Sequence, residues 1–287
     1  MNSDTGRITS GMPEYPAILK EIRGYPRELF YIGKIELLKM RCAAVVGSRK
    51  TTQYGRTAAK NISRALAEKN IVVVSGMAKG IDACAHRGAL EVSGSTIAVL
   101  GNGVDICYPE ENHELKREIE KHGLVLSEYP PGRKPEKYFF PQRNRIISGL
   151  SELTVVVQAG SGSGALITAE LAAEQGREVF AVPGNIDSRY NLGNNKLIKE
   201  GAVPVTCIQD ILDAMGVGGI NREEAEKLLG KTEMEIFTLL ENYGELTIDE
   251  LCRLMGKTPA YVSSIVTVME IKGIVFSALG KIFIAKA

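Results

Sequence analysis

Several short stretches of this chain put glycines, small hydroxyl residues and cations where an anion could be held. In VVGSRKTTQYG, Gly47, Ser48 and Arg49 fall where an apolar run gives way to a helical pattern. Backbone N–H groups and the positive end of a helix would face outward there beside a guanidinium, which makes an anion site. SGMAKGID repeats the arrangement, with Ser75, Gly76 and Gly80 opening the backbone and Lys79 as a flexible cation. LGNGVDICYPEEN adds Gly101, Asn102 and Gly103, while Asp105, Tyr108 and Pro109 are read as shaping the following turn. GSGSGALITAE runs from Gly160 through Gly162, Ser163 and Gly164 into a helix whose first turn carries Thr168, a loop type that cradles phosphate. Asn185, Arg189, Asn194, Asn195, Lys196 and Lys199 follow in VPGNIDSRYNLGNNKLIKEGA, where much of the loop is turn chemistry.

The densest cationic stretch is PPGRKPEKYFFPQRNRIISGLS. It holds Arg133, Lys134, Lys137, Arg143 and Arg145 against Glu136, with Tyr138, Phe139 and Phe140 interleaved. Single-stranded nucleic acid needs this mixture, because phosphates must be neutralised and unpaired bases stack on aromatic faces. Some of these aromatics belong to the core, but Arg143, Asn144 and Arg145 are placed at the start of a helix beside a loop and are assigned to nucleic acid.

Other chemistries fit less well. The first loop is not G-x-G-x-x-G and no acidic residue ends IVVVS, which disfavours a nicotinamide or flavin dinucleotide. The fourth loop lacks G-K-[ST], so a magnesium-dependent NTPase is unsupported. Asp82 and His86 stand at i and i+4, a spacing open to a metal or an acid–base pair, but without a third ligand a structural hydrogen bond is the better reading. Cys42, Cys84, Cys107, Cys207 and Cys252 are odd in number and never in a C-x-x-C pair, against a disulfide framework or structural zinc. No cofactor, metal or catalytic group is expected. A net charge of +1 means that any anionic partner must meet a local basic patch.

The elements that must position these residues are legible from residue 42 onward. Apolar runs CAAVVG, IVVVSG, STIAVLG, LVLSEY, LTVVVQA, EVFAVPG and PVTCI alternate with helical patterns over 51–69, 80–92, 110–122, 165–176 and 194–200. Such alternation predicts an α/β fold, a doubly wound, mostly parallel Rossmann-like sheet with the strand-to-helix loops along one edge, where ligands bind. Residues 1–41 have too few apolar positions for a domain and are expected to wrap onto this core over 42–216. A Gly-rich linker is expected over 217–230, and helix, helix, helix, hairpin over 231–287 is the order of a winged helix. From residue 217 on, eight Lys/Arg meet ten Asp/Glu. TPAYVSSIVTVMEIKG carries a cation in Lys272 alone, so protein contact or an auxiliary DNA role suits this domain better than base reading. With neither a signal-peptide pattern nor an apolar stretch of transmembrane length, a reducing cytoplasm is the expected compartment.

Taken in order, GSR at 47–49, SGMAKGIDACAH at 75–86, GNGVDICYPEEN at 101–112, SEYPPG at 127–132, FPQRNRIISGLS at 140–151, SGALITA at 163–169 and GNNKLIKEGA at 193–202 resemble the DprA or Smf family. The resemblance implies a domain that binds single-stranded DNA, forms homodimers and hands incoming strands to RecA recombinase in natural transformation. It would place Arg49, Lys79, Arg143, Arg145, Ser163 and Thr168 in the strand-binding pocket, with no covalent chemistry. Members often carry a cation where Gly162 stands and an acid where Gln158 stands, so a phosphate contact is missing here or supplied from elsewhere. GSGSGALITAE is also loosely similar to the loop of lonely-guy enzymes, which cleave nucleoside monophosphates. That chemistry needs a carboxylate in the pocket, for which Glu170 is the nearest candidate, at the wrong offset.

Overall fold

The computed structural model describes residues 5–92, 95–217, 222–278 and 280–285, and its contacts separate two units, Met1–Ile208 and Gln209–Ala287. The first unit runs β1 (Gly6–Thr9), α1 (Ala17–Lys20), β2 (Glu28–Gly33), β3 (Cys42–Val46), α2 (Gln53–Glu68), β4 (Val72–Ser75), α3 (Ile81–Leu90) and β5 (Thr96–Leu100). It continues with α4 (His113–His122), β6 (Leu124–Ser127), α5 (Phe139–Gly149), β7 (Leu153–Val156), α6 (Gly164–Glu174), β8 (Glu178–Ala181), α7 (Leu192–Lys199) and β9 (Val203–Pro204). Strands β3 to β7 are buried end to end, as expected where helices cover both sheet faces.

The nine strands lie in the order β1-β2-β6-β5-β4-β3-β7-β8-β9. From β6 to β9 every pairing is parallel. The stretch before residue 42 supplies β1 and β2, which pair antiparallel with each other and with β6. The strand order reverses between β3 and β7. A doubly wound sheet opens a crevice beyond the carboxyl ends of the strands at such a point.

The second unit runs α8 (Ile208–Ala214, beginning at the boundary), α9 (Arg222–Leu228), α10 (Lys231–Tyr243), β10 (Glu245–Thr247), α11 (Ile248–Met255), α12 (Pro259–Ile271), β11 (Val275–Ala278) and β12 (Lys281–Ile284). Of the linker expected over 217–230, residues 218–221 lie outside the described residues and 222–228 form the helix α9 instead, since the Arg222–Leu228 run of charged and helix-forming residues continues beyond the glycines. The winged-helix order is present with one addition: β10, too short for sequence periodicity, pairs with β12 and completes a three-stranded sheet. Its core gathers Ile236, Phe237, Leu240, Leu251, Val262 and Met269. Lys272 is held by both oxygens of Glu233 at 2.7 and 2.8 Å. Among the described residues no helix is long and apolar enough to cross a membrane.

Helix α3 turns Asp82 and His86 to different partners. The Thr96 hydroxyl donates to the Val73 carbonyl at 2.8 Å, so its oxygen accepts from His86 Nδ1–H at 2.7 Å, leaving Nε2 buried and unpartnered. Burial, aided by the charges of Arg143 and Arg87, pushes the imidazole down to about 3. Among the described residues no three metal-ligating side chains cluster. The folded state refuses a proton that the unfolded chain takes up near the ordinary value of 6.5, so stability is lost as pH falls below that value and continues to fall toward 3. The cost is about 1.4 kcal/mol per pH unit. Urea midpoints of His86→Gln and the unmodified protein, compared between roughly pH 7 and pH 5, should diverge by this slope; parallel profiles would refute the neutral buried imidazole.

Candidate nucleic-acid interface

A cleft of about 600 Å³ opens at the reversal point. The loop after β3 supplies Gly47, Ser48, Arg49 and Lys50, and the loop after β7 with the first turns of α6 supplies Gly162, Ser163, Gly164, Ile167 and Thr168. The approach to α5 contributes Lys137, α5 itself contributes Phe140 and Asn144, and Tyr108 comes from the loop after β5. Arg49, Lys50 and Lys137 are exposed, while Tyr108 is 41% exposed. Tyr108 and Phe140 lie 5.4 Å apart at 32°, with the Arg49 guanidinium 5.5 Å from the Phe140 ring centre. The wall thus offers an aromatic platform with a cation on it, a geometry suited to stacked bases and phosphates.

The loop bearing Arg49 is held by Gln158, buried just beyond β7. Its Oε1 accepts from the Thr52 amide at 2.8 Å and the Thr51 hydroxyl at 2.8 Å, and its Nε2 donates to Asn191 Oδ1 at 2.9 Å. A carboxylate could accept from the threonines but could not donate to Asn191, so the neutral amide at this position joins three loops. The Gln158 carbonyl also takes the Ser48 N–H at 2.7 Å. Thr52 caps α2 by accepting from the Gly55 N–H.

Behind the cleft two ionisable side chains are buried together. Asp82 accepts the Ala78 N–H at 3.4 Å, and burial pushes its carboxyl up against the opposing charge of Arg143. The Arg143 guanidinium, 5% exposed, donates to the carbonyl of Gly76 at 2.8 Å, to that of Val99 and to Asn144 Oδ1 at 3.2 Å. Its removal from water pulls it down to about 10 despite Asp82.

These contacts revise several sequence expectations. The Ser48 amide, expected to face an anion, is satisfied inside the fold by the Gln158 carbonyl. Ser75 is buried with its hydroxyl on the Val45 carbonyl. Gly76 is required because a Cβ would come within 2.5 Å of the Arg143 guanidinium. Gly80, at φ +82°, seats against the first loop, where a Cβ would lie 2.4 Å from the Ser48 carbonyl oxygen. Lys79 pairs with Glu111 at the surface. Helix α5 begins at Phe139, earlier than expected, so Arg143 and Arg145 sit mid-helix and point about 160° apart. Arg143 enters the core, whereas Arg145 binds both oxygens of Glu128 at 2.5 and 2.6 Å and does not line the cleft. Lys196 also lies off the cleft, 3.5 Å from Glu200. Gly47, Ser48, Arg49, Arg143, Asn144, Ser163, Gly164 and Thr168 are brought together along the cleft, Arg143 with its guanidinium turned inward. Sequence reasoning passed over Tyr108, read as a turn former, and Lys50; a cation directly after GSR and a tyrosine on a strand-end loop were the available signals.

The model of the family described as DNA recombination-mediator protein A matches residues 6–216. The chain belongs to this family, DprA/Smf. DNA processing protein DprA of Streptococcus pneumoniae is 48% identical over 198 residues, 69% of this chain and 70% of that one. A crystal structure of DprA from the same species superposes with a TM-score of 0.70 at 46% identity, covering 72% of this chain and 73% of that one. A Helicobacter pylori structure, described for its single-stranded DNA binding mode, gives 0.69 at 29% identity, covering 75% and 96%. In this DprA family member, Arg143 holds the interface from behind. Arg143→Leu should cost about 3–5 kcal/mol by leaving the buried Gly76 and Val99 carbonyls without their donor and Asp82 without the neighbouring charge. Adding Asp82→Asn should recover part of the loss; a double variant no more stable than the single one, by urea midpoint, would rule out the electrostatic coupling of Asp82 to Arg143.

Proposed function

We propose that the cleft binds single-stranded DNA along its phosphate backbone, with bases laid against Tyr108 and Phe140. The observation that carries this reading is the lining itself: Arg49, Lys50 and Lys137 stand exposed around an aromatic platform. Among the described residues of the lining, the carboxylate is Asp82, buried and accepting from the Ala78 amide. Phosphates therefore meet cations with no facing acid, and any unpaired base can use a π-face. Glu170 lies outside the lining, so nucleotide cleavage lacks a positioned carboxylate.

The cellular reading follows from the family and from the strand held in this way. A homodimer in the cytoplasm shields incoming single strands and passes them to RecA recombinase during transformation or recombination. The family's description as a recombination mediator and the binding described for the Helicobacter pylori protein support it. A site that grips the backbone and stacks bases without reading their edges suits a protein that must accept any sequence.

Fluorescence anisotropy with oligo-dT separates the two contributions. Arg49→Ala should weaken binding about tenfold and lower the slope of log K against log salt by about 0.7. Tyr108→Ala should cost about 1–3 kcal/mol with the slope unchanged. Undiminished binding by both would remove the cleft from consideration. A gain is also expected: the space beyond Gly162 is open and its backbone is unstrained, so Gly162→Lys adds a cation to the rim. That variant should bind several-fold tighter with a steeper salt slope, and a neutral effect would show that the strand does not pass Gly162.

A further inference from the structure

Outside the cleft, cations gather on the ridge formed by α2 and α3. Helix α2 exposes Arg56, Lys60 and Arg64 at four-residue spacing, about 6 Å apart along the axis. Helix α3 crosses so closely that a Cβ on Gly88 would lie 2.3 Å from the Lys60 carbonyl oxygen, which brings exposed Arg87 beside Lys60. Arg56, Lys60 and Arg87 surround the half-buried Cys84, each opposing the rise that burial imposes on its thiol.

The ridge is continuous with the cleft. Arg56 reaches back to the Thr51 carbonyl at 3.4 Å and to Gln53 Oε1 at 3.3 Å, next to Lys50 of the cleft wall. Two acids accompany the four cations: Glu91, 2.6 Å from Lys60, and Glu68, 3.4 Å from Arg64. Exposed pairs of this kind are worth roughly 0–1 kcal/mol, so a phosphate can displace either acid at small cost.

We propose that Arg56, Lys60 and Arg87 form a second phosphate track, holding single-stranded DNA where it leaves the cleft past Lys50. The inference rests on the single-strand reading of the cleft and extends it to longer strands. A short oligonucleotide fills the cleft alone, whereas a longer one also lies along α2. Because the track is electrostatic and carries no aromatic face, it adds affinity and salt dependence without base preference.

The test uses the full chain and oligo-dT of roughly six and roughly twenty nucleotides. The triple variant Arg56→Gln, Lys60→Gln, Arg87→Gln should bind the short oligonucleotide as before and the long one about tenfold more weakly, with the salt slope lowered by about 2 for three lost contacts. Glu91→Gln frees Lys60 and should tighten the long oligonucleotide about twofold, a gain that misfolding cannot imitate. Unchanged affinity of the triple variant for the long strand overturns the track, as does equal loss on both lengths. Arg49→Ala distinguishes this failure from failure of the cleft, since it should weaken both lengths whatever the ridge does.

Discussion

The burial of Asp82 and Arg143 behind the cleft is the constraint on which the rest of the site depends. A carboxylate and a guanidinium taken out of water persist only if nearly every donor and acceptor is matched. Here the matching groups are backbone: the amide of Ala78 for the acid, carbonyls of Gly76 and Val99 for the base. The two side chains thereby fasten the loop after β4 to β5, α3 and α5. The Arg143 guanidinium at Gly76 and the backbone of Ser48 and Arg49 at Gly80 leave no room for Cβ atoms, and so these glycines serve packing.

Gln158 performs the complementary task on the other side of the reversal point. It joins the Arg49 loop to the end of β7 and to the Asn191 turn through one neutral amide that both accepts and donates. Between these two clamps the exposed tips are left free to meet solvent. Arg49, Lys50, Lys137, Tyr108 and Phe140 project from backbone that is held by groups behind them. A site for a mobile, sequence-varied strand needs this preorganisation, since the strand itself contributes only entropy to be lost.

The second unit presents a different surface. Its α12 turns Tyr261, Ser264, Thr267, Val268 and Ile271 outward. Lys272, the cation at its end, is held by Glu233. Base edges in a major groove call for free Arg, Lys, Asn or Gln side chains, and this face lacks them.

The chain's own sequence determined the doubly wound sheet, because fully buried parallel strands must be continuously apolar and the helices between them carry a 3.6-residue period. From residue 231 the order of the second unit was equally legible, save β10, whose three residues are too few to show a period; the short helices α8 and α9 before it were not read from the sequence. The loop edge was legible too, since glycines and cations at strand ends mark it, and with it the ordered motifs that resemble DprA. Which of those residues face solvent was decided by tertiary structure alone. Arg143 and Arg145 look equivalent in FPQRNRIISGLS, yet a two-residue step on a helix turns one into the core and the other to Glu128. Ser75, Gly76 and Gly80 look like a ligand loop but are consumed by packing, while Tyr108, which looks like a turn former, becomes half of the platform. Pairing between distant segments decides these roles, and no local pattern records it.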